Sequence, residues 1–146
     1  MKKVKQNNFK YPIVAFSKSA IHLARNSDEI LVCTKTALKN NFYKNMKIVD
    51  SAGILYKVNN AIKLKGHGFL WGYNIFLNQK VDVELVFTED PILINIEDLK
   101  KMLLSSLKGE FWRSGDNHSK IIKEVENTTN FHHIIKYLEI IYYNLE

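Results

Sequence analysis

The stretch "KGHGFLWGYNIFLNQKVDVELVF", Lys65 to Phe87, decides how the chain is read. In its second half Val81, Val83, Leu85 and Phe87 alternate with Asp82, Glu84 and Val86, the period of a strand with one buried face. Upstream, Trp71, Tyr73, Ile75 and Leu77 alternate with Gly72, Asn74, Phe76 and Asn78. The Asn-Gln-Lys segment between them predicts a tight hairpin that pairs Trp71–Leu77 with Val81–Phe87. Gly66 and Gly68 mark a bend into the first strand, and Gly72 a bulge or a close backbone approach.

The same period continues toward the N-terminus. "YPIVAF" and "AIHLAR" read as a hairpin across Ser17 to Ser19, and "EILVCT" as a third strand. "TKTALKNNFYKN" breaks the pattern with a short helix that Thr34 or Thr36 can cap, carrying Ala37, Leu38 and Phe42 on one side. "KIVDSAGILYKVNNAIKL" is a further hairpin, with Gly53 giving the positive φ of a three-residue loop. In its second strand Ile54, Tyr56, Val58, Ile62 and Leu64 fall on one face. Lys57, Lys63 and Lys65 fall on the other, with Leu55, Asn59 and Ala61.

Past Phe87 the period changes to that of helices. Asn95 with Asp98 forms a box-like cap for a helix whose stripe is Ile96, Leu99, Met102, Leu103 and Leu107, with Gly109 as its stop. "EFWRSG" connects it to a short helix that Asp116 can cap, carrying Ile121, Ile122 and Val125. The segment Thr128–Asn130 caps the last helix, whose inner face is Phe131, Ile134, Ile135, Leu138, Ile141 and Leu145. With no linker, repeat or low-complexity segment, residues 1–146 read as a single α+β domain. A twisted antiparallel sheet with a short early helix would pack on a C-terminal layer of about three helices.

Charge is divided along the chain. Residues 1–80 hold 14 Lys and Arg against 3 Asp and Glu, whereas residues 81–146 hold 7 against 12. A dipolar molecule of this kind suits electrostatic steering toward a charged partner. The one cysteine, Cys33, excludes an internal disulfide and lies in an apolar run, the setting of an inert thiol. The N-terminus lacks the apolar core of a signal peptide, and no window reaches the roughly 20 apolar residues of a spanning helix. A cytoplasmic location and no membrane contact are expected.

Candidate chemistry is sparse. His67, between two glycines, is the best candidate general base, yet its nearest acids in sequence, Asp50 and Asp82, belong to neighbouring elements that nothing places beside the ring. A glycine turn accounts for "KGHG" without catalysis. His118, His132 and His133 lack metal-ligand spacing, since adjacent helical residues point roughly 100° apart. No cofactor fingerprint is present, and no enzyme is expected. Nucleic-acid binding is the alternative: the first half is basic, Lys57, Lys63 and Lys65 project from a strand, and Phe9, Tyr11, Tyr43 and Tyr73 offer rings for stacking. Against it, Arg25 and Arg113 are the only arginines.

The order "TKTALKNNFYKNMKIVDSAGILYKV … WGYNIFLNQKVDVELVF … IEDLKKMLLSSLK … FWRSGD … IIKYL" resembles small bacterial proteins encoded beside secreted polymorphic toxins, among them the immunity proteins of contact-dependent growth inhibition systems. The likeness spans roughly residues 11–140. It implies a cytoplasmic α+β protein without catalysis that binds a cognate toxin domain and blocks it. On the residues, the expected contact is the acidic C-terminal side around Glu110, Trp112, Asp116, Glu124 and Glu126, which joins a large aromatic to clustered carboxylates. A nuclease toxin would offer these carboxylates a basic cleft. One feature departs from the family: inhibitors of nuclease toxins are often acidic overall, whereas this chain carries +6.

Overall fold

The computed structural model describes residues 8–17, 20–66, 80–107 and 118–145. Its strands are β1 (Ile13–Ser17), β2 (Ala20–Ala24), β3 (Val32–Thr34), β4 (Lys47–Val49), β5 (Ile54–Gly66), β6 (Lys80–Phe87) and β7 (Ile92–Leu93). Its helices, among the described residues, are α1 (Ser27–Ile30), α2 (Lys35–Lys39), α3 (Ile96–Ser106), α4 (His118–Asn127) and α5 (Phe131–Leu145). Among the described residues all strand pairs are antiparallel, in the order β2-β1-β4-β5-β6-β3, with β7 pairing the start of β5. The expected α+β architecture is the one observed, with a helical layer after the sheet.

The sheet curls, and its two faces bury different things. The inner face gathers residues from nearly every strand, among them Ile13, Ala15, Ile48, Tyr56, Val58, Val83 and Phe87, around Phe9, Tyr43 and Met46. The outer face of β1, β2, β4 and the start of β5 presents Val14, Phe16, Ile21, Leu23, Val49 and Leu55 to the helices. From the helices come Leu99, Leu103 and Leu107, then Ile121 and Val125, then Ile134, Ile135 and Leu138. Those are the stripes that the 3.6-residue period predicts.

The caps follow the sequence. Asn95 and Asp98 make a reciprocal capping box: Asp98 N donates to Asn95 Oδ1 at 2.8 Å and Asn95 N to Asp98 Oδ2 at 3.3 Å. Thr34 caps α2 by accepting from Ala37 N at 3.1 Å. Asn130 opens α5, accepting from His133 N at 3.2 Å. The α3 helix ends at Ser106 with Leu107 as its cap, ahead of the expected stop at Gly109, which lies outside the described residues.

The structure corrects the sequence reading in three places. First, "EILVCT" is not one strand. Its beginning belongs to α1, because Asn26 accepts from Glu29 N and caps a turn, and only Val32–Thr34 joins the sheet. Second, the β4–β5 loop has four residues, Asp50–Gly53. Gly53 does take a positive φ of 81° there. Asp50, 1% exposed, ties the loop by accepting from the backbone N of Lys10, Ala52 and Ile54 at 3.2, 3.0 and 3.1 Å.

Third, the faces of β5 are not constant along its length. The register runs from Val58↔Phe87 to Asn60↔Val86, so Asn59 is an extra residue, a bulge. Because side chains alternate with period two, one extra residue exchanges the faces. Ala61, opposite Leu85, is buried, whereas Ile62 and Leu64 are 54% and 55% exposed. A second shift lies between Lys63 and Lys65. Upstream of the bulge, Leu55 keeps the face of Lys57 as expected, but the helices cover that face at Leu55 and bury it.

The alternation of β6 holds: Val81, Val83, Leu85 and Phe87 are all buried. Its expected partner, Trp71–Leu77, lies outside the described residues, as do the glycines and His67 of that stretch. Among the described residues, β5 takes one edge of β6 and β3 pairs with Lys80–Asp82 on the other.

Candidate partner-binding surface

Of the five residues expected to make a partner contact, Glu110, Trp112 and Asp116 lie outside the described residues. Glu124 and Glu126 are exposed on the last turns of α4. What holds that end of α4 is a lysine. Lys100, only 8% exposed, runs from α3 to donate through Nζ to the Glu126 carbonyl at 2.7 Å. The same ammonium is 3.7 Å from Glu97 Oε1. Lys100 thereby satisfies an end carbonyl of α4 with a cation, favourable at a helix C-terminus.

One consequence of this tie is that the start of α3 and the end of α4 are neighbours. Glu97, Glu124 and Glu126 are exposed on these two helix ends, with Asp98 occupied in the capping box. Burial, then the charge of nearby Glu124, raises the Tyr137 hydroxyl above its ordinary pKa. Sequence reasoning found Glu124 and Glu126 but missed Glu97. The signal was present: Glu97 is i−3 to Lys100, a spacing that faces one side of a helix.

The expected lysine face is not continuous. Lys57 stands upstream of the bulge and pairs with Glu89 at 2.6 Å. Directly across the ladder from it is Lys47, on β4. Lys63 stands beyond the bulge, opposite buried Val83, so it projects from the other face of the strand. Lys63 neighbours Lys35 at the start of α2, whose pKa falls through desolvation first and the Lys63 charge second. For Lys65 the register gives Asp82 as its partner.

The remaining titratable candidates are structural. His22 is half-buried against the edge of Phe42, with ring centroids 5.0 Å apart, and burial lowers its pKa. His132 and His133 are exposed, and among the described residues no three His, Cys, Asp or Glu side chains gather as metal ligands. Burial pushes the half-buried Cys33 thiol up, the direction of an unreactive sulfur. Arg25 pairs with Glu29 at 2.8 Å and covers the Tyr143 ring at 3.9 Å. The Tyr143 hydroxyl meets the Leu23 carbonyl at 3.0 Å and the Glu29 carboxylate, so this cluster fastens α5 to β2 and α1.

Among the described residues no helix is long and apolar enough to cross a membrane. Compared with known proteins, the chain matches no family model, no curated protein and no solved structure.

Proposed function

We propose that the chain is a toxin-binding immunity protein of the cytoplasm. It engages a cognate bacterial toxin domain, a nuclease in the favoured reading, and blocks its active site without catalysis or cofactor. The observation that carries this reading is the exposed carboxylate set of Glu97, Glu124 and Glu126 where α3 begins and α4 ends. Carboxylates on rigid helix ends can occupy a basic cleft in place of phosphates. Glu110, Trp112 and Asp116 of the intervening connection complete the proposed contact, with Trp112 as its aromatic anchor.

The nucleic-acid reading loses support, because Lys57 and Lys63 lie on opposite faces of β5 and Lys57 is engaged by Glu89. Phe9 and Tyr43, two of its proposed stacking rings, are buried in the inner core.

The test is protection of cells that express the toxin domain encoded beside this chain. Asp116→Lys and Glu124→Lys, each confirmed folded by circular dichroism, should abolish protection. Wild-type chain that neither binds nor protects against that domain overturns the reading. Full protection by both folded variants would move the contact elsewhere.

A further inference from the structure

We infer that a polar groove at the C-terminal end of α3 is a second binding site, one that receives an acidic, extended polypeptide segment. The groove encloses about 710 Å³. One wall is the turn after α2, which contributes Asn40, Asn41, Lys44 and Asn45, all exposed. Across from it stand Met102, Ser105 and Ser106 of α3, and Phe16 and Lys47 lie between at the ends of paired strands β1 and β4. It sits at the opposite end of α3 from Glu97, about 13 Å from it to Ser105 and Ser106 at 1.5 Å per residue.

The lining chooses the ligand. Among the described residues no carboxylate lines the groove, while two ammonium groups do, so an anion is favoured. The three Asn amides and two Ser hydroxyls both donate and accept, which matches the alternating N–H and C=O of an extended main chain. A phosphodiester backbone would offer acceptors only. The second wall is the last turn of α3, which holds no basic residue and carries the negative end of the helix dipole. The free carbonyls of that end accept N–H donors from a peptide main chain, which a phosphodiester backbone lacks. Nor is there an open aromatic face for base stacking, since Phe16 is buried.

The turn is built to hold this wall in place. Asn41 and Asn45 both adopt left-handed backbone, at φ of 58° and 59°, a region that asparagine tolerates better than most residues. Lys44 N donates to Asn41 O at 3.1 Å, and Phe42 N to Ala37 O at 3.1 Å. Behind the turn, Ser17 Oγ donates to Phe42 O at 2.9 Å and Tyr43 is buried in the inner core. The polar wall is thus presented by a backbone that is fixed from behind.

The experiment uses the full chain and two fluorescein-labelled probes at physiological salt: a decapeptide alternating glutamate with serine, and a ten-nucleotide oligothymidylate. Fluorescence anisotropy should show saturable binding of the peptide, tighter than of the oligonucleotide. The charge reversal Lys44→Glu with Lys47→Glu should weaken peptide binding at least tenfold. Lys10→Glu with Lys120→Glu changes net charge equally at exposed positions that do not line the groove, and should alter it less than twofold. Circular dichroism spectra and melting curves establish that both variants fold. No peptide binding, equal weakening by both pairs, or tighter binding of the oligonucleotide overturns the proposal. Because no toxin domain enters the assay, its failure leaves the toxin-binding reading standing, and the reverse also holds.

Discussion

The two cores of this molecule are built on different chemistry. Between sheet and helices the buried residues on the helical side are all aliphatic, with Leu99, Leu103, Leu107, Ile134, Ile135 and Leu138 fully buried and the rings of α5 packed at the margin. Inside the curl of the sheet aromatic rings join the aliphatic side chains, with Phe9 edge-on to Tyr56 at 4.7 Å and to Phe87 at 6.4 Å. Tyr43 lies there too, and its hydroxyl donates to the Ile30 carbonyl at 2.7 Å. An aliphatic layer between regular elements needs volume and pattern. A narrow interior needs shaped rings whose polar ends find partners. The outer core should therefore be sensitive to lost volume, and the inner one to lost hydrogen bonds and to ionisation.

The largest effect is expected in the outer core. Leu138→Ala removes a fully buried side chain from the centre of α5 and should cost about 2–5 kcal/mol in urea denaturation. A loss below about 0.5 kcal/mol would place Leu138 at the surface and break the contrast. Fluorescence and circular dichroism should report coincident transitions in this variant, because both cores share β1, β4 and β5. Separate transitions would make the two cores independent units.

Next comes the point where the hairpin of β4 and β5 meets α5. Gly53 has φ of 81°, and a Cβ placed on it would lie 2.9 Å from Cε2 of Phe131. Gly53→Ala incurs roughly 1–2 kcal/mol for left-handed backbone, and more if the ring must move. Phe131→Leu in the same chain should recover the steric part and leave the backbone part. A neutral Gly53→Ala would mean that the loop can take another conformation.

A smaller loss tests the inner core by one atom. Tyr43→Phe keeps the ring and leaves the Ile30 carbonyl without its donor, for about 1–2 kcal/mol. If it proves neutral, the inner core depends on volume alone, and the contrast with the outer core disappears.

How much of this could be read from the chain depends on the range of the interactions that decide it. The helical stripes, the Asn95–Asp98 box and the Thr34 cap are set within one or two turns, and the sequence carries them openly. So does the alternation of β6, because a strand with one buried face repeats every second residue. The bulge at Asn59 is different. It exists because β5 must satisfy β4 at Lys47–Val49 and β6 at Val81–Phe87 in two different registers, a demand from segments far away in sequence. Nothing within "YKVNNAIKL" says which asparagine is the extra one, so an unbroken alternation puts Ile62 and Lys63 on the wrong faces. The early part of "EILVCT" failed for the opposite reason. Asn26 and Glu29 are a local helix-start signal, and a reading by apolar period alone passes over it. For the candidate surface, Glu124 and Glu126 were legible, but the Lys100 tie that brings Glu97 beside the end of α4 was not. That tie requires two helices to meet end to end, which no spacing within either one encodes.

The finest test of the comparison is base titration. Desolvation, with a lesser push from Asp28, raises the Tyr11 hydroxyl to about 12; for Tyr56 burial and then Asp50 raise it to about 12 as well. Burial also raises Tyr43. In the unfolded chain these groups ionise near 10. A folded pKa above the unfolded one means that the folded state keeps its proton longer, so the contribution to stability is complete below pH 10. It is lost as pH rises from about 10 to about 12, where the unfolded state has already released the proton. Absorbance at 295 nm should accordingly show tyrosines that ionise only above pH 11. Tyr56→Phe should remove one of the late group and flatten the fall in stability over that interval. It should leave the melting temperature near pH 7 within a few degrees of wild type, since its hydrogen bond to Asp50 is long, at 3.5 Å. A titration in which every tyrosine ionises near 10 would mean that water reaches the rings of the inner core, and the inner half of the comparison would not stand.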